Sequence, residues 1–396
     1  MAGSPKKIAV LGGSSPFTAA LLDALAVYDF RGRRGSTEFA LCGRDANALA
    51  SLADYGAWRL ATVGAAVIAT TQVERALDGA DIVVSQIRFG GLQARAREEQ
   101  LALELGCAAD ETLGPCGLAS ALRQRADLLS LAELLKIRCP KALILNLSNP
   151  LSLTTALLAD SGLDVIGICE LPITTLRESL RLADLNAERA KWHYCGFNHR
   201  GFLFDISSDG HDVLADVTAS YAIVRPAFAE TIRELSAIPL KYFQLFRGPT
   251  VPSSSRAQDL MLIRDAVAAE LTRDSRSPPP SLARRNTEWY DCALAPILAA
   301  LLDLEAVRLT INVSDGDLVR ERQAYISHGQ IELSPPAHRE GRFNLWLDRF
   351  EKHERLSRAA LGWPNRENIE AALANDMITP HSKISLAATR LLEVSR

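Results

Sequence analysis

Residues 7–27 read KIAVLGGSSPFTAALLDALAV, and this stretch decides the fold. Lys7 to Leu11 is a short apolar, β-branched run with the signature of a buried strand. Gly12-Gly13-Ser14-Ser15 is a turn, and Thr18 to Val27 is apolar at helical spacing. A strand, a glycine turn and a helix in this order aim unpaired backbone N–H groups and the positive end of a helix dipole at one point, which suits a dinucleotide pyrophosphate. Gly12, Gly13, Ser14 and Ser15 are therefore candidate cofactor contacts. GGSSPF keeps only the first glycine of the dinucleotide fingerprint in register, with Ser14 and Phe17 at the later glycine positions. On its own the turn reads equally as a tight βα connection without a ligand.

Working outward, Phe39–Cys42 is a second strand, Ala46–Leu60 a helix, Asp81–Ile87 (DIVVSQI) a strand, and Leu143–Leu147 and Val165–Cys169 two more. Strands separated by helical segments predict crossover units and a parallel sheet buried on both faces. The first half is thus predicted as a Rossmann-like, doubly wound α/β domain over 1–190. Residues 191–396 change to shorter strand-like pieces and helices and are predicted as an α+β domain for substrate, metal and oligomer contacts. Within it, Trp289–Leu304, Phe343–Leu361, Arg366–Leu373 and Ile384–Val394 read as helices and Leu309–Val313 as a strand, whereas 247–256 and 273–280 read as Pro/Ser/Arg-rich loops.

Composition narrows the function classes. At about 150 residues per domain, 396 residues suit two domains better than one. The chain is 48% hydrophobic and 23% charged, so wholesale disorder is excluded. Its net charge of −3 argues against nucleic acid or an anionic membrane as the main partner, since both select excess positive charge. Seven cysteines without a CxxC pair suit a reduced compartment. No signal peptide or membrane span is legible, and a cytoplasmic location is expected.

Candidate chemistry gathers at strand ends, where ligands bind in such sheets. Where an NAD site usually carries Asp or Glu after the second strand, this chain has Cys42-Gly43-Arg44-Asp45. Arg44 there could meet a ribose phosphate, keeping NADP open beside NAD, while Asp45 begins the next helix. Arg88, Arg95 and Arg97 follow the strand ending at Gln86; Asn146 and Asn149 lie in NLSNP; Cys169-Glu170 ends VIGIC; Asn198-His199 follows later. A lone cysteine and a lone histidine are more often buried core residues than ligands, and their spacing does not by itself define a metal site.

Taken in order, KIAVLGGSS, QIRFGG with ADETLGPCG, NLSNP, ICELP, GFNHRG and NTEWYDCALAPIL resemble the NAD- and divalent-metal-dependent family 4 glycoside hydrolases, the 6-phospho-glucosidase and α-galactosidase group, as a divergent member. The resemblance covers residues 6–205 well and 281–315 loosely. It implies that Cys169 and His199 hold a divalent metal, usually manganese, that Asn149 and Arg95 bind the sugar with Arg308 as a further contact, and that Gly12, Gly13, Ser14, Ser15, Arg44 and Asn146 serve the cofactor. Tyr290 would be the base, Glu170 an acid for the leaving group, and Glu111 an organiser of metal-bound water. The implied chemistry departs from the usual two-carboxylate scheme. It oxidises sugar C3, removes the C2 proton, eliminates the aglycone, adds water and returns the hydride. The expected substrates are α-linked glycosides carrying an anion at C6, such as 6-phospho- or 6-sulfo-sugars, and the expected assembly is a homo-oligomer. Two other readings stand beside it, an NAD(P)-dependent sugar or hydroxy-acid dehydrogenase or epimerase, and a nucleotide-binding protein without catalysis.

Overall fold

The computed structural model describes residues 6–32, 35–247, 255–335 and 341–394. Six parallel strands form the frame: β1 (Lys6–Leu11), β2 (Thr37–Cys42), β3 (Ala65–Thr70), β4 (Ile82–Ser85), β5 (Leu143–Asn146) and β6 (Val165–Gly167). Their spatial order, β3-β2-β1-β4-β5-β6, reverses direction between β1 and β4, and that reversal opens a crevice at the carboxyl ends of the strands. Leu11 lies opposite both Cys42 and Ser85, so three strand ends finish flush at this crevice. The apolar runs explain the layering: Ile8 to Leu11 and Val83–Val84 are fully buried because helices cover both faces.

The helices follow from local signals. Ala46–Leu60 starts where Asp45 Oδ1 accepts the backbone N–H groups of Asn47 and Ala48, each at 3.0 Å. Asp45→Ala is expected to cost about 1 kcal/mol, read as a lowered denaturant midpoint at unchanged slope. The predicted helix over Trp289–Leu304 instead begins as a wide π-helical turn, Tyr290–Leu294, and becomes α-helical over Ala295–Leu301. Pro296 has no N–H to close the preceding turn, which favours the wider spacing.

The second half builds a small antiparallel sheet from β7 (Ala190–Phe197), β8 (Arg200–Ser208), β9 (His211–Asp212) and β10 (Ile238–Pro239). Helix Gly341–Gly362 covers it through an aromatic cluster in which Phe343 stacks on Phe202, with ring centroids 5.2 Å apart. The chain then does something its sequence did not announce. Strands β11 (Val307–Asp315), β12 (Leu318–Ser327) and β13 (Gln330–Leu333) join the first sheet, β11 running antiparallel to β6 with Asn312 opposite Gly167. The result is one nine-stranded sheet, β13-β12-β11-β6-β5-β4-β1-β2-β3. The strand expected at 309–313 is present, and its partner is the parallel sheet. Strand β3 and helices Gly114–Arg138 and Arg256–Arg273 are further elements that the pattern reading did not mark. Of the loop expected at 247–256, residues 248–254 lie outside the described residues. No helix among the described residues is long and apolar enough to cross a membrane.

Candidate active site

The site is assembled from the ends of β1, β4, β5 and β6 and from the tip of the β7–β8 hairpin. At the β1 end, Gly12 adopts φ +83°, and a Cβ on Gly13 would lie 2.8 Å from the Val10 carbonyl oxygen and 2.9 Å from the Cys42 nitrogen. The turn therefore admits no side chain at these positions and leaves its backbone bare. Gln86, just past β4, donates to Thr18 Oγ1 at 2.9 Å and accepts from the Tyr290 hydroxyl at 2.7 Å. Tyr290 thus closes over the β1–β4 crevice with its phenol already engaged. Burial pushes that phenol up to about 12, against the pull of Arg285.

Beside β4 and β5 lies an ion cluster centred on Glu111. Its carboxylate receives Arg88 at 2.7 Å, Arg95 at 2.6 Å and the Asn149 amide at 3.3 Å. Burial opposes its charge, but the two guanidinium groups outweigh it and hold the carboxyl far below the usual range. Arg95 also binds buried Glu99 at 2.6 Å, and Glu99 in turn accepts from Ser255 Oγ and the Ala257 N–H at the start of helix Arg256–Arg273. Asn146 is fully buried and its amide stays within its own turn, donating to Thr154 and Thr155 and accepting from the Ser148 N–H. Arg308 is exposed on β11, where its guanidinium lies 5.9 Å from the Tyr325 ring centre.

At the β6 end, Cys169 is buried, and burial followed by the Glu170 and Glu321 charges pushes its thiol well up, while the Leu171 N–H and Asn198 side chain oppose this. Glu170 precedes helix Leu171–Leu182, and burial raises its carboxyl above the usual range. His199 occupies the two-residue tip between β7 and β8 in a left-handed conformation, φ +64°. Burial lowers its imidazole to about 3, so the ring is neutral near pH 7, and buried Nδ1 has no hydrogen-bond partner among the described residues. An orphaned buried nitrogen of this kind calls for a water or an ion.

Against the His199 ring lies a residue no motif had flagged. The β8–β10 ladder continues as Leu240 N–H donates to the Gly201 carbonyl at 3.0 Å, which carries the next residues past the hairpin tip. Tyr242 then stacks on the His199 ring, with centroids 4.3 Å apart and planes 3° from parallel. Burial raises its phenol well above the ordinary value, followed by the charges of Asp110, Glu111, Glu170 and Cys169. The Tyr242 phenol thus lies within electrostatic reach of these four groups while its ring stacks on His199. Lys241 places its ammonium 5.3 Å from the same ring. Arg285, one of the two arginines (with Arg284) expected to supply positive charge near the base, places its guanidinium 3.9 Å from the Phe17 ring centre and 5.0 Å from that of Trp289, with no hydrogen bond to a carboxylate among the described residues. Burial lowers it to about 10.

A buried carboxylate backs this arrangement. Glu321 on β12 accepts from Tyr194 Oη, from Asn198 Nδ2 at 3.3 Å and from Asn312 Nδ2 at 3.2 Å. Burial raises its carboxyl to about 7. Between about 4.5 and about 7 the folded chain therefore binds more protons here than the unfolded chain, and stability falls as pH rises through that window. The slope is about 1.4 kcal/mol per pH unit for one proton. Glu321→Gln is expected to flatten this decline, measured by chemical denaturation across the window.

Comparison with known proteins bears on the fold that carries this site. A family profile described as "Family 4 glycosyl hydrolase" matches residues 7–184. Residues 7–184 thus resemble the family 4 glycosyl hydrolases, and the chain spans little more than half the length of the first curated relatives it matches. A probable 6-phospho-beta-glucosidase of Bacillus subtilis is 31% identical over 257 residues, covering 59% of this chain and 58% of that protein. The 6-phospho-beta-glucosidase of Thermotoga maritima is 24% identical over 347 residues, 82% of each chain. In structure, the chain superposes on a 6-phospho-alpha-glucosidase from gut microorganisms, solved with NAD and Mn2+, with a TM-score of 0.83 at 19% identity over 99% and 98% of the chains. Malate dehydrogenase from Plasmodium falciparum shares the fold at a TM-score of 0.53.

Proposed function

We propose that this chain is a glycosidase that uses NAD(P) and a divalent metal to cleave sugars carrying an anion at C6, through oxidation at C3 and elimination across C2 and C1. The observation that supports this most is the stacking of Tyr242 on His199 at the hairpin tip, with Cys169 within electrostatic reach of the same phenol, in a fold that also has a dinucleotide-type crevice. The names of its relatives support the same reading, since those proteins are 6-phospho-glucosidases of both alpha and beta type, and solved structural neighbours are complexes with NAD, Mn2+ or glucose-6-phosphate.

The residues fit both groups. The Gly12–Gly13 turn leaves backbone exposed where a pyrophosphate would lie. Cys169 sulfur and the unpartnered His199 nitrogen are a donor pair suited to a divalent transition metal. Among the described residues no three His, Cys, Asp or Glu side chains gather to hold a metal ion, so this pair would leave the remaining positions to substrate and water. When bound, the dinucleotide supplies reversible hydride transfer and the metal Lewis acidity, the two chemistries that make a sugar C2 proton removable.

The chain's own residues do the rest. Glu111, Arg88, Arg95 and Asn149 form a pre-set array that binds and orients sugar hydroxyls. Arg285, a desolvated cation without a carboxylate partner, meets the C6 anion. Tyr242 Oη takes the C2 proton; the metal-side positive charge must offset the burial that now disfavours its phenolate. Glu170, whose carboxyl is raised by burial, holds a proton for the departing oxygen. Tyr290 and Asn146 act as positioning residues, one on Gln86 and the other on its own turn. The working form is taken to be a cytoplasmic homo-oligomer.

The test is release of nitrophenol from 6-phosphorylated, 6-sulfonated and neutral nitrophenyl glycosides, supplied with dinucleotide and Mn2+. Turnover on an anionic glycoside without net accumulation of reduced dinucleotide is the expected result. Net accumulation assigns a dehydrogenase instead, and inactivity on every glycoside with dinucleotide bound defeats the proposal. Arg285→Ala is expected to raise KM for a 6-phosphorylated substrate about tenfold or more while leaving that of a neutral sugar little changed.

A further inference from the structure

The adenosine end of the crevice has an unusual chemistry for a site that takes NAD. In such folds the second parallel strand ends on a carboxylate that accepts from the ribose 2′-hydroxyl. Here β2 ends at Cys42, and Gly43 follows with no side chain. The space above it is filled: a Cβ there would lie 2.2 Å from Ser14 Oγ, so the Ser14 hydroxyl of the glycine turn sits directly over the strand end. The next acid, Asp45, is turned to the start of helix Ala46–Leu60, where Oδ1 accepts two backbone N–H groups at 3.0 Å. Between them stands Arg44, exposed and without a hydrogen-bond or ion-pair partner among the described residues. A hydroxyl and a free guanidinium have thus taken the place of a carboxylate.

We propose that this end of the site is built for a 2′-phosphate, so that the chain prefers NADP to NAD, with Arg44 as the recognising cation and Ser14 as a hydroxyl donor. The inference rests on the cofactor-dependent function proposed above and deepens it. A phosphate monoester carries nearly two negative charges near neutral pH and pairs with a guanidinium through short charge-assisted bonds. A ribose hydroxyl gives Arg44 no comparable partner. One opposing charge lies nearby: Glu74, exposed on helix Val73–Leu77 beyond β3, reaches Cys42 electrostatically. Its carboxylate is the alternative ribose ligand, and it makes the preference testable in both directions.

The experiment is direct binding, without turnover. The purified chain is titrated with NADP, NAD, 2′,5′-ADP and ADP by calorimetry at low and high salt. NADP is expected to bind about tenfold or more tighter than NAD, with 2′,5′-ADP tighter than ADP, and the contrast should shrink at high salt because Arg44 is exposed. Arg44→Ala should remove the contrast and leave the NAD dissociation constant unchanged, and Glu74→Gln should strengthen NADP binding. Equal affinities, or tighter NAD binding that is lost in Glu74→Gln, overturn the preference while leaving the dinucleotide-dependent function intact. Binding of neither dinucleotide overturns both.

Discussion

Tyr242→Phe is expected to lower kcat by about 10²–10⁴, the range that a positioned proton acceptor contributes. The phenylalanine ring preserves the stack on His199, so the fold and the metal-side geometry should survive. The informative readout is isotopic. In D2O the active chain should place deuterium at sugar C2, and Tyr242→Phe should lose that exchange. Tyr290→Phe makes the contrast. Its phenol donates to Gln86 at 2.7 Å, and losing one such bond is worth about 1 kcal/mol, felt as a several-fold weaker dinucleotide complex. A dead Tyr290→Phe beside an active Tyr242→Phe would return the base to Tyr290.

The second large effect is on stability. Arg200, next to His199, donates to Glu354 and approaches His353 Nδ1 at 2.7 Å, while Glu354 accepts from Ser152 Oγ. The paired side chains are only 3% and 6% exposed. This cluster ties the hairpin tip to helix Gly341–Gly362 and helix Leu151–Asp160. Arg200→Met leaves the Glu354 carboxylate buried and uncompensated and is expected to cost about 3–5 kcal/mol. The double variant Arg200→Met/Glu354→Leu should recover most of that loss, since two apolar groups replace two charges. Urea unfolding separates the outcomes: equal loss in the single and double variants would mean that packing, not charge, sets the cost.

Much of the sheet was legible because its strands are buried on both faces. IAVL and the IVV of DIVVSQI are short, β-branched apolar runs next to glycine or polar turn signals, which favours a strand. Strand β3, AAVIAT, was not marked: it lies at the sheet edge, half exposed, and alanine carries little strand preference. Cys169, His199 and Asn149 stood out as candidates because each sits at a strand end or hairpin tip inside a short motif. Tyr242 did not. Its neighbours KYFQLF have no repeating pattern, and only the pairing of β10 with β8, a contact between distant segments, delivers it to His199. Arg285 could be named as a nearby cation, but its seat against Phe17 could not, because only folding brings the two together. Asn146 illustrates the opposite: its place at a strand end suggested a ligand, but Thr154 and Thr155 use its amide first.

The seating of β11 against β6 has a consequence for biogenesis. Until β11 emerges from the ribosome, β6 presents its outer edge unpaired, with bare N–H and C=O groups that invite wrong partners. The strand that leads into Cys169 is thus the last of the parallel set to gain its second neighbour. A nascent chain halted before residue 307 would hold a nearly complete nucleotide fold with its sticky margin open, and chaperone capture should peak at that length.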